Sequence, residues 1–395
     1  MNRQTAPLYL LVACAAIAGC RGTDTSAAAR DARARGATGD IVIGVAWPWA
    51  ARTDVLFGEG LDLATEQING AGGIRGRKLR LLRADDHESV NDGRVVAQQL
   101  AANPDVVAVI GHLQSYVTVP AAAIYDLAGV VMVAPIATAP ELTTQGYSHI
   151  FRGTVNDRIV GRALADVAAQ RGFHRIAICY IRDGYGRSVS NAFEERAVEL
   201  GLTVVSRESY DPNAGNDERA YLAILNAWRD QNYDAILLAG ENPSAASLVK
   251  ALRHAGVHQP VLGGDAMSST SLLQLAGASA EGTVVASVFH PDEPRREVQE
   301  FVTAFQQRFR RPPDAGAALG FDALHVLADA MHRAGTSAPS AIAQALRRPV
   351  PFAGVTGRFA FDSTGEPRDK RVVMTIVRGG RFRFVLPAEL ATAHP

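Results

Sequence analysis

Residues 66–79 read Glu66-Gln67-Ile68-Asn69-Gly70-Ala71-Gly72-Gly73-Ile74-Arg75-Gly76-Arg77-Lys78-Leu79. Before them, Phe57, Leu61, Ala64 and Ile68 recur at helical spacing, which predicts a helix beginning near Gly58 and ended by Asn69-Gly70. Gly72, Gly73 and Gly76 then supply turn conformations that residues with a Cβ resist. A strand follows over Lys78–Ala84. The order is helix, turn, strand. Glycine-rich phosphate loops run the other way, from strand into helix, so these glycines are architectural.

Outward from this stretch the same alternation continues. Strands are predicted at Ile41–Val45, Val106–Ile110, Val130–Ala134, Arg175–Ile181, Leu202–Ser206, Ala235–Leu238 and Thr283–Val288. Between them lie helical patterns, loosely around Ile159, Leu164 and Ala168, and clearly at Leu319, Ala323, Val326-Leu327 and Ala330. Near-continuous apolar strands separated by helices give an α/β fold of parallel sheets covered on both faces. Ligands of such sheets bind beyond the carboxyl ends of the strands, so the loops after strands are where chemistry is expected.

The 395 residues carry 40 basic and 40 acidic side chains, with 47% apolar and 20% charged residues. This is a globular composition, long enough for two or three domains. A neutral balance without a basic stripe argues against nucleic acid as a partner. Three cysteines are too few for a disulfide framework in a chain this long. Cys179, inside the apolar run Ile176–Ile181, reads as a buried and inert thiol.

The N-terminus reads as an export address. Asn2-Arg3-Gln4 precedes an apolar run from Ala6 to Gly19, too short to span a bilayer and suited to a signal peptide over residues 1–19. The run ends in Ile17-Ala18-Gly19-Cys20, which resembles the bacterial lipoprotein signal. That resemblance implies acylation of Cys20, a lipid anchor and a periplasmic location, with Arg21 permitting the outer membrane. Residues 20–39 are small and polar, without a bulky apolar side chain, and are expected to form a flexible tether.

The stretch 66–79, Asp85-Asp86, Val109-Ile110-Gly111-His112 with Ser115, and Ala134-Pro135-Ile136-Ala137-Thr138 with Ala139-Pro140-Glu141-Leu142-Thr143 occur in that order. They are followed by Phe151-Arg152, Asp183-Gly184-Tyr185-Gly186, Gly263-Gly264-Asp265 and Phe361-Asp362-Ser363-Thr364-Gly365. Together they resemble the type I periplasmic substrate-binding proteins of the branched-chain amino acid (Leu/Ile/Val) receptor family. The resemblance implies two Rossmann-like lobes joined by three crossovers, near Thr154–Asp157, Val288–Pro291 and Phe359–Asp362. One lobe would hold 40–156 and 289–358, the other 157–288 and 359–387. No catalytic residue, cofactor or metal is implied. The partners implied are a small amino-acid-like ligand, an ABC permease and, through the anchor, a membrane.

The same resemblance assigns ligand contacts. Ser115 precedes a helix with Thr118 as its N-cap and Pro120 in its first turn, and would hold a carboxylate. Thr138 would share that role, with the backbone carbonyl of Ile136 accepting an ammonium. Asp265 would receive the ammonium from the opposite lobe, beside Tyr185. Phe57 matches an aromatic wall position, and Trp47, in a segment that departs from the family, would add flat apolar surface near the cleft, with core packing as the competing reading for the tryptophans.

Two features depart from the family. Trp47-Pro48-Trp49-Ala50-Ala51-Arg52 replaces the usual Pro and Ser/Thr-Gly, and Glu241 stands where an aromatic is usual. A buried carboxylate disfavours an apolar ligand side chain, so a positive or hydrogen-bond-donating group is expected to face Glu241. Other readings are weaker. Asp85-Asp86-His87-Glu88 alternates across a strand and does not converge as metal ligands. His112-x-x-Ser115 lacks a nucleophile elbow. The alternative to a transport receptor is a ligand-sensing or protein-interaction lipoprotein of the peptidoglycan-synthase-activator type.

Overall fold

A computed structural model describes residues 24–211, 213, 218–385 and 389. The signal segment and Cys20 lie outside the described residues. Strand β1 (Ile41–Trp47) shows how the first sheet is built. All seven residues are buried. Ile41, Ile43, Val45 and Trp47 enter the core on one face, Val42 and Ala46 the core on the other, the period-two division of a doubly covered strand.

The first sheet is wholly parallel, in the order β2 (Leu79–Asp85), β1, β3 (Val106–Gly111), β4 (Val131–Ala134), β5 (Ile150–Arg152). One face carries α3 (Val90–Ala102) and α4 (Ser115–Leu127). The other carries α2 (Phe57–Gly70), α12 (Ala315–Ala334) and α13 (Pro339–Arg347). Gly60 lets α2 and α12 touch, since a Cβ there would lie 2.0 Å from the Ala317 carbonyl oxygen. Helix α11 (Arg296–Phe309) packs with them through Val298, Phe301 and Phe305.

The second sheet runs β15 (Arg381–Val385), β14 (Val373–Arg378), β10 (Val284–Ser287), β9 (Val261–Gly263), β8 (Ala235–Ala239), β6 (Arg175–Ile181), β7 (Thr203–Tyr210). Helices α6 (Asp157–Gln170) and α7 (Gly184–Glu199) cover one face. On the other lie α8 (Leu222–Trp228), α9 (Ser244–His254) and α10 (Thr270–Ala276). Its parallel part, β7-β6-β8-β9-β10, repeats the strand order of the first sheet. In each, the order reverses beside the first strand, which is where open α/β sheets bind ligands. Cys179 is buried in this lobe, and burial pushes its thiol pKa up.

Four expectations are corrected. The tether is helical over α1 (Ala27–Gly36), capped by Ser26. It docks through the fully buried Arg30, whose guanidinium donates to the carbonyls of Ala101, Asn103 and Val106. An arginine filling the open carbonyls at the end of α3 holds the segment where apolar burial alone would not. The third passage between lobes falls between Arg368 and Val373, beyond the expected 359–362. Phe359 and Phe361 of β12 (Gly357–Phe361) pack in the first core, Phe361 against Phe151, and β12 pairs with β11 (Phe352–Gly354) and β13 (Pro367–Arg368). The second sheet is not wholly parallel. Strands β14 and β15 form an antiparallel hairpin whose turn uses Gly379 and Gly380 at φ 59° and 70°. Finally, α4 begins at Ser115, with Thr118 inside it and bonded back to the Gln114 carbonyl at 2.8 Å.

Candidate functional site

The carboxyl ends of both sheets open on one cavity of about 440 Å³ between the lobes. It is lined from the first lobe by the loops after β1, β3 and β4, and from the second by those after β6, β8 and β9. Ser115, Ile136, Thr138, Tyr185, Glu241 and Asp265 all border it. Trp47 and Phe57 do not. They stack on each other with ring centroids 4.1 Å apart, almost wholly buried, so these aromatics are core. Their proximity to a strand end makes the two roles look alike in sequence.

On the first lobe, Ser115 is the first residue of α4. Its Oγ accepts the backbone N–H groups of Thr138 and Ala139, each at 3.2 Å. Both acceptor positions of the hydroxyl are thereby filled, which leaves its proton to donate into the cavity. The helix N-terminus adds positive potential there. The loop carrying Thr138 is clamped from behind by Arg152, which donates to the Ala137 and Ala139 carbonyls at 2.6 Å each and to Glu366 at 2.9 Å. Glu366 in turn accepts from Asn156 and Thr143.

On the second lobe, the Tyr185 hydroxyl donates to Asp265 Oδ1 at 2.9 Å and accepts the Ala266 N–H at 3.3 Å. Gly264 makes this possible, since a Cβ there would sit 2.3 Å from the Tyr185 oxygen. Burial raises the Asp265 carboxyl pKa, against an opposing pull from the Tyr185 hydrogen bond. Asp183 caps α7 by accepting the Gly186 N–H at 2.8 Å.

Several bonds cross between the lobes. Arg52 pairs with Glu88 on its own lobe and donates to the Asn242 carbonyl at 3.3 Å. Gln114 divides its amide between Glu88 at 3.1 Å and Glu241 at 3.3 Å. Ser271 donates to Asp54. Burial raises the Glu241 carboxyl pKa, with Arg52 pulling it back. Sequence reading misses Arg52, Gln114 and Asp183. The unusual segment Trp47–Arg52 is a signal for Arg52, and Asp183 follows a strand as an N-cap should. Of Asp85-Asp86-His87-Glu88 only Asp85 lies in β2, and the other three follow it outside the strand, with His87 and Glu88 at φ 50° and 54°. Asp86 bonds the buried His112 at 2.6 Å, and Glu88 turns to Arg52. His112 Nε2 lies 3.3 Å from the Tyr125 hydroxyl, so the ring is occupied away from Ser115. Among the described residues no three His, Cys, Asp or Glu gather as a metal site.

Two lobes of like topology, their strand ends turned on one cavity with polar groups from both sides, define a bilobal binding protein. The chain belongs to the periplasmic binding protein family, whose profile matches residues 40–381. A Leu/Ile/Val-binding protein homolog 1 of Brucella suis is 28% identical over 346 residues, covering 85% of this chain and 90% of that protein. A leucine-, isoleucine-, valine-, threonine- and alanine-binding protein of Pseudomonas aeruginosa is 28% identical, covering 77% of this chain and 80% of its own. An ABC transporter substrate-binding protein of Desulfitobacterium hafniense, solved in complex with Leu, is 37% identical with a TM-score of 0.79, covering 88% of this chain and 100% of that one. The branched-chain amino acid transporter substrate-binding protein of Streptococcus pneumoniae, in complex with isoleucine, is 25% identical with a TM-score of 0.80 over 88% and 100%. The chain is a solute-binding protein and not an enzyme.

Proposed function

We propose that this protein is an extracytoplasmic receptor that closes around an α-amino acid and delivers it to an ABC importer. The observation that carries the reading is the pairing of opposite chemistries across one cavity. Ser115 and the start of α4 offer donors on one side, and Asp265 with Tyr185 offers an acceptor on the other. A zwitterion fits this polarity, its carboxylate at Ser115 and Thr138 and its ammonium at Asp265 and the Ile136 carbonyl. Charge-assisted hydrogen bonds to both ends tie the lobes together through the ligand. The amino acids named for its relatives support the same class.

Cys20 is read as the site of a lipid anchor that keeps the receptor at a periplasmic membrane surface. Two or three acyl chains, each methylene contributing about 0.8 kcal/mol, suffice for that. Calorimetry against the common amino acids tests the central claim. Binding at micromolar or tighter Kd, lost in Asp265→Asn, is expected. Insensitivity of Tm to every amino acid would overturn transport in favour of a protein-interaction role. Labelling with a fatty acid, abolished in Cys20→Ala, tests the anchor.

A further inference from the structure

The part of the cavity lined by Arg52, Asp183 and Glu241 carries more negative than positive charge. Arg52 is the cation there, and it is engaged by Glu88 and the Asn242 carbonyl. Asp183 is accommodated by the N-terminus of α7, which it caps. Glu241 is left with one long side-chain bond, from Gln114 to Oε2 at 3.3 Å. The remaining wall is largely apolar, with Val55, Val119 and Leu319 among its side chains. The exposed Tyr116 stands beside this end, its hydroxyl on the Glu88 carbonyl at 3.3 Å.

We infer that the cavity selects an amino acid with a cationic side chain, whose methylene stem lies along the apolar wall and whose ammonium or guanidinium meets Glu241. This rests on the amino-acid reading above and specifies its substrate class. With the carboxylate held by Ser115 and Thr138 and the α-ammonium by Asp265, Glu241 is a largely enclosed carboxylate of the cavity lining that is left without a full partner. A neutral aliphatic side chain would seal it from water and give nothing back. A second positive charge completes the balance. The Tyr116 ring adds a face suited to a cation. Burial raises the Glu241 carboxyl pKa, with Arg52 opposing, and a ligand cation would oppose it further.

The test is calorimetry of the full chain with L-arginine, L-lysine, L-glutamine and L-leucine. Arginine or lysine is expected to bind at least tenfold more tightly than leucine. Glu241→Gln should erase that preference by tenfold or more while leucine binding holds or improves, which also shows that the variant folds. Arg52→Gln, which removes the competing cation, should strengthen basic ligands relative to leucine and serves if Glu241→Gln does not fold. Leucine binding as tightly as arginine, or a selectivity that Glu241→Gln leaves unmoved, overturns this inference while sparing the amino-acid reading. Failure of all four ligands, and of the other common amino acids, overturns both.

Discussion

Tyr185 holds Asp265 by a 2.9 Å hydrogen bond, and the two side chains reach the cavity from the first turn of α7 and from the segment after β9. The bond favours the ionised carboxylate in a place where burial disfavours it. Tyr185→Phe should therefore push the Asp265 pKa higher still and leave a poorer acceptor for an ammonium. A hydrogen bond to a charged group contributes about 1.5–3 kcal/mol, so affinity should fall roughly ten- to a hundredfold. Binding needs Asp265 ionised, so affinity should weaken as pH falls. In Tyr185→Phe that weakening should begin at a higher pH. Calorimetry across pH with both proteins checks the order.

Asp157, the first residue of α6, is fully buried and lies near the hydroxyls of Thr138 and Ser188. Burial lifts its pKa from 3.8 to about 7, with the Asp265 charge adding to it and the nearby Thr138, Ser188 and Arg152 opposing. The folded protein thus binds this proton more tightly than the unfolded chain. Its contribution is most favourable below about pH 4, declines as pH rises towards about 7, and is constant above that. Asp157→Asn should abolish the decline and be more stable than the parent by roughly 2–4 kcal/mol near neutrality. The difference between their unfolding free energies, followed across pH, isolates this group from the others. A flat difference would refute the assignment.

How much of this is legible beforehand depends on where each residue gets its instructions. Strands such as β1 and β8 are buried on both faces, so their composition alone announces them. Ser115, Thr138 and Asp265 are findable because they lie just beyond such runs. Trp47 and Phe57 show the limit, since an aromatic beside a strand end looks the same whether it faces a ligand or its neighbour. Arg52 and Gln114 act on partners 36 and 127 positions away, Glu88 and Glu241, which no local period encodes. Helix α1 escapes because its hold is a guanidinium on backbone carbonyls. The β14–β15 hairpin is carried by Gly379-Gly380 between apolar runs, a signal that a search for parallel strands passes over.

Arg30 makes a separate prediction. Its contacts at Ala101, Asn103 and Val106 run from the end of α3 to the start of β3, whereas the cavity opens beyond the far end of that strand. Arg30→Ala would strip three carbonyls of a charged donor and release α1. A loss of about 2–4 kcal/mol is expected, from hydrogen bonds of this kind and the groups left unpaired. Trypsin should then cut at Arg33 and Arg35 sooner than in the parent. Ligand affinity should be unchanged, because the cleft loops are untouched. An affinity change of tenfold or more would show that the segment reaches the site.

Arg152 reports on the opposite relation, a residue outside the cavity lining on which the cavity depends. It is wholly buried, and its guanidinium bridges Glu366 to the two carbonyls that flank Thr138. Removing one partner of a buried ion pair costs about 3–5 kcal/mol, because the other charge is left without compensation. Arg152→Met should therefore lower Tm strongly, and Arg152→Met with Glu366→Gln should recover part of the loss. The loop should also loosen, so that Thr138 and Ala139 no longer hold Ser115 in place. Ligand affinity should fall in both variants, since the double substitution restores charge balance but not the clamp on the Ala137 and Ala139 carbonyls. Recovery of affinity along with stability would mean that the ion pair, and not the clamp, positions Thr138.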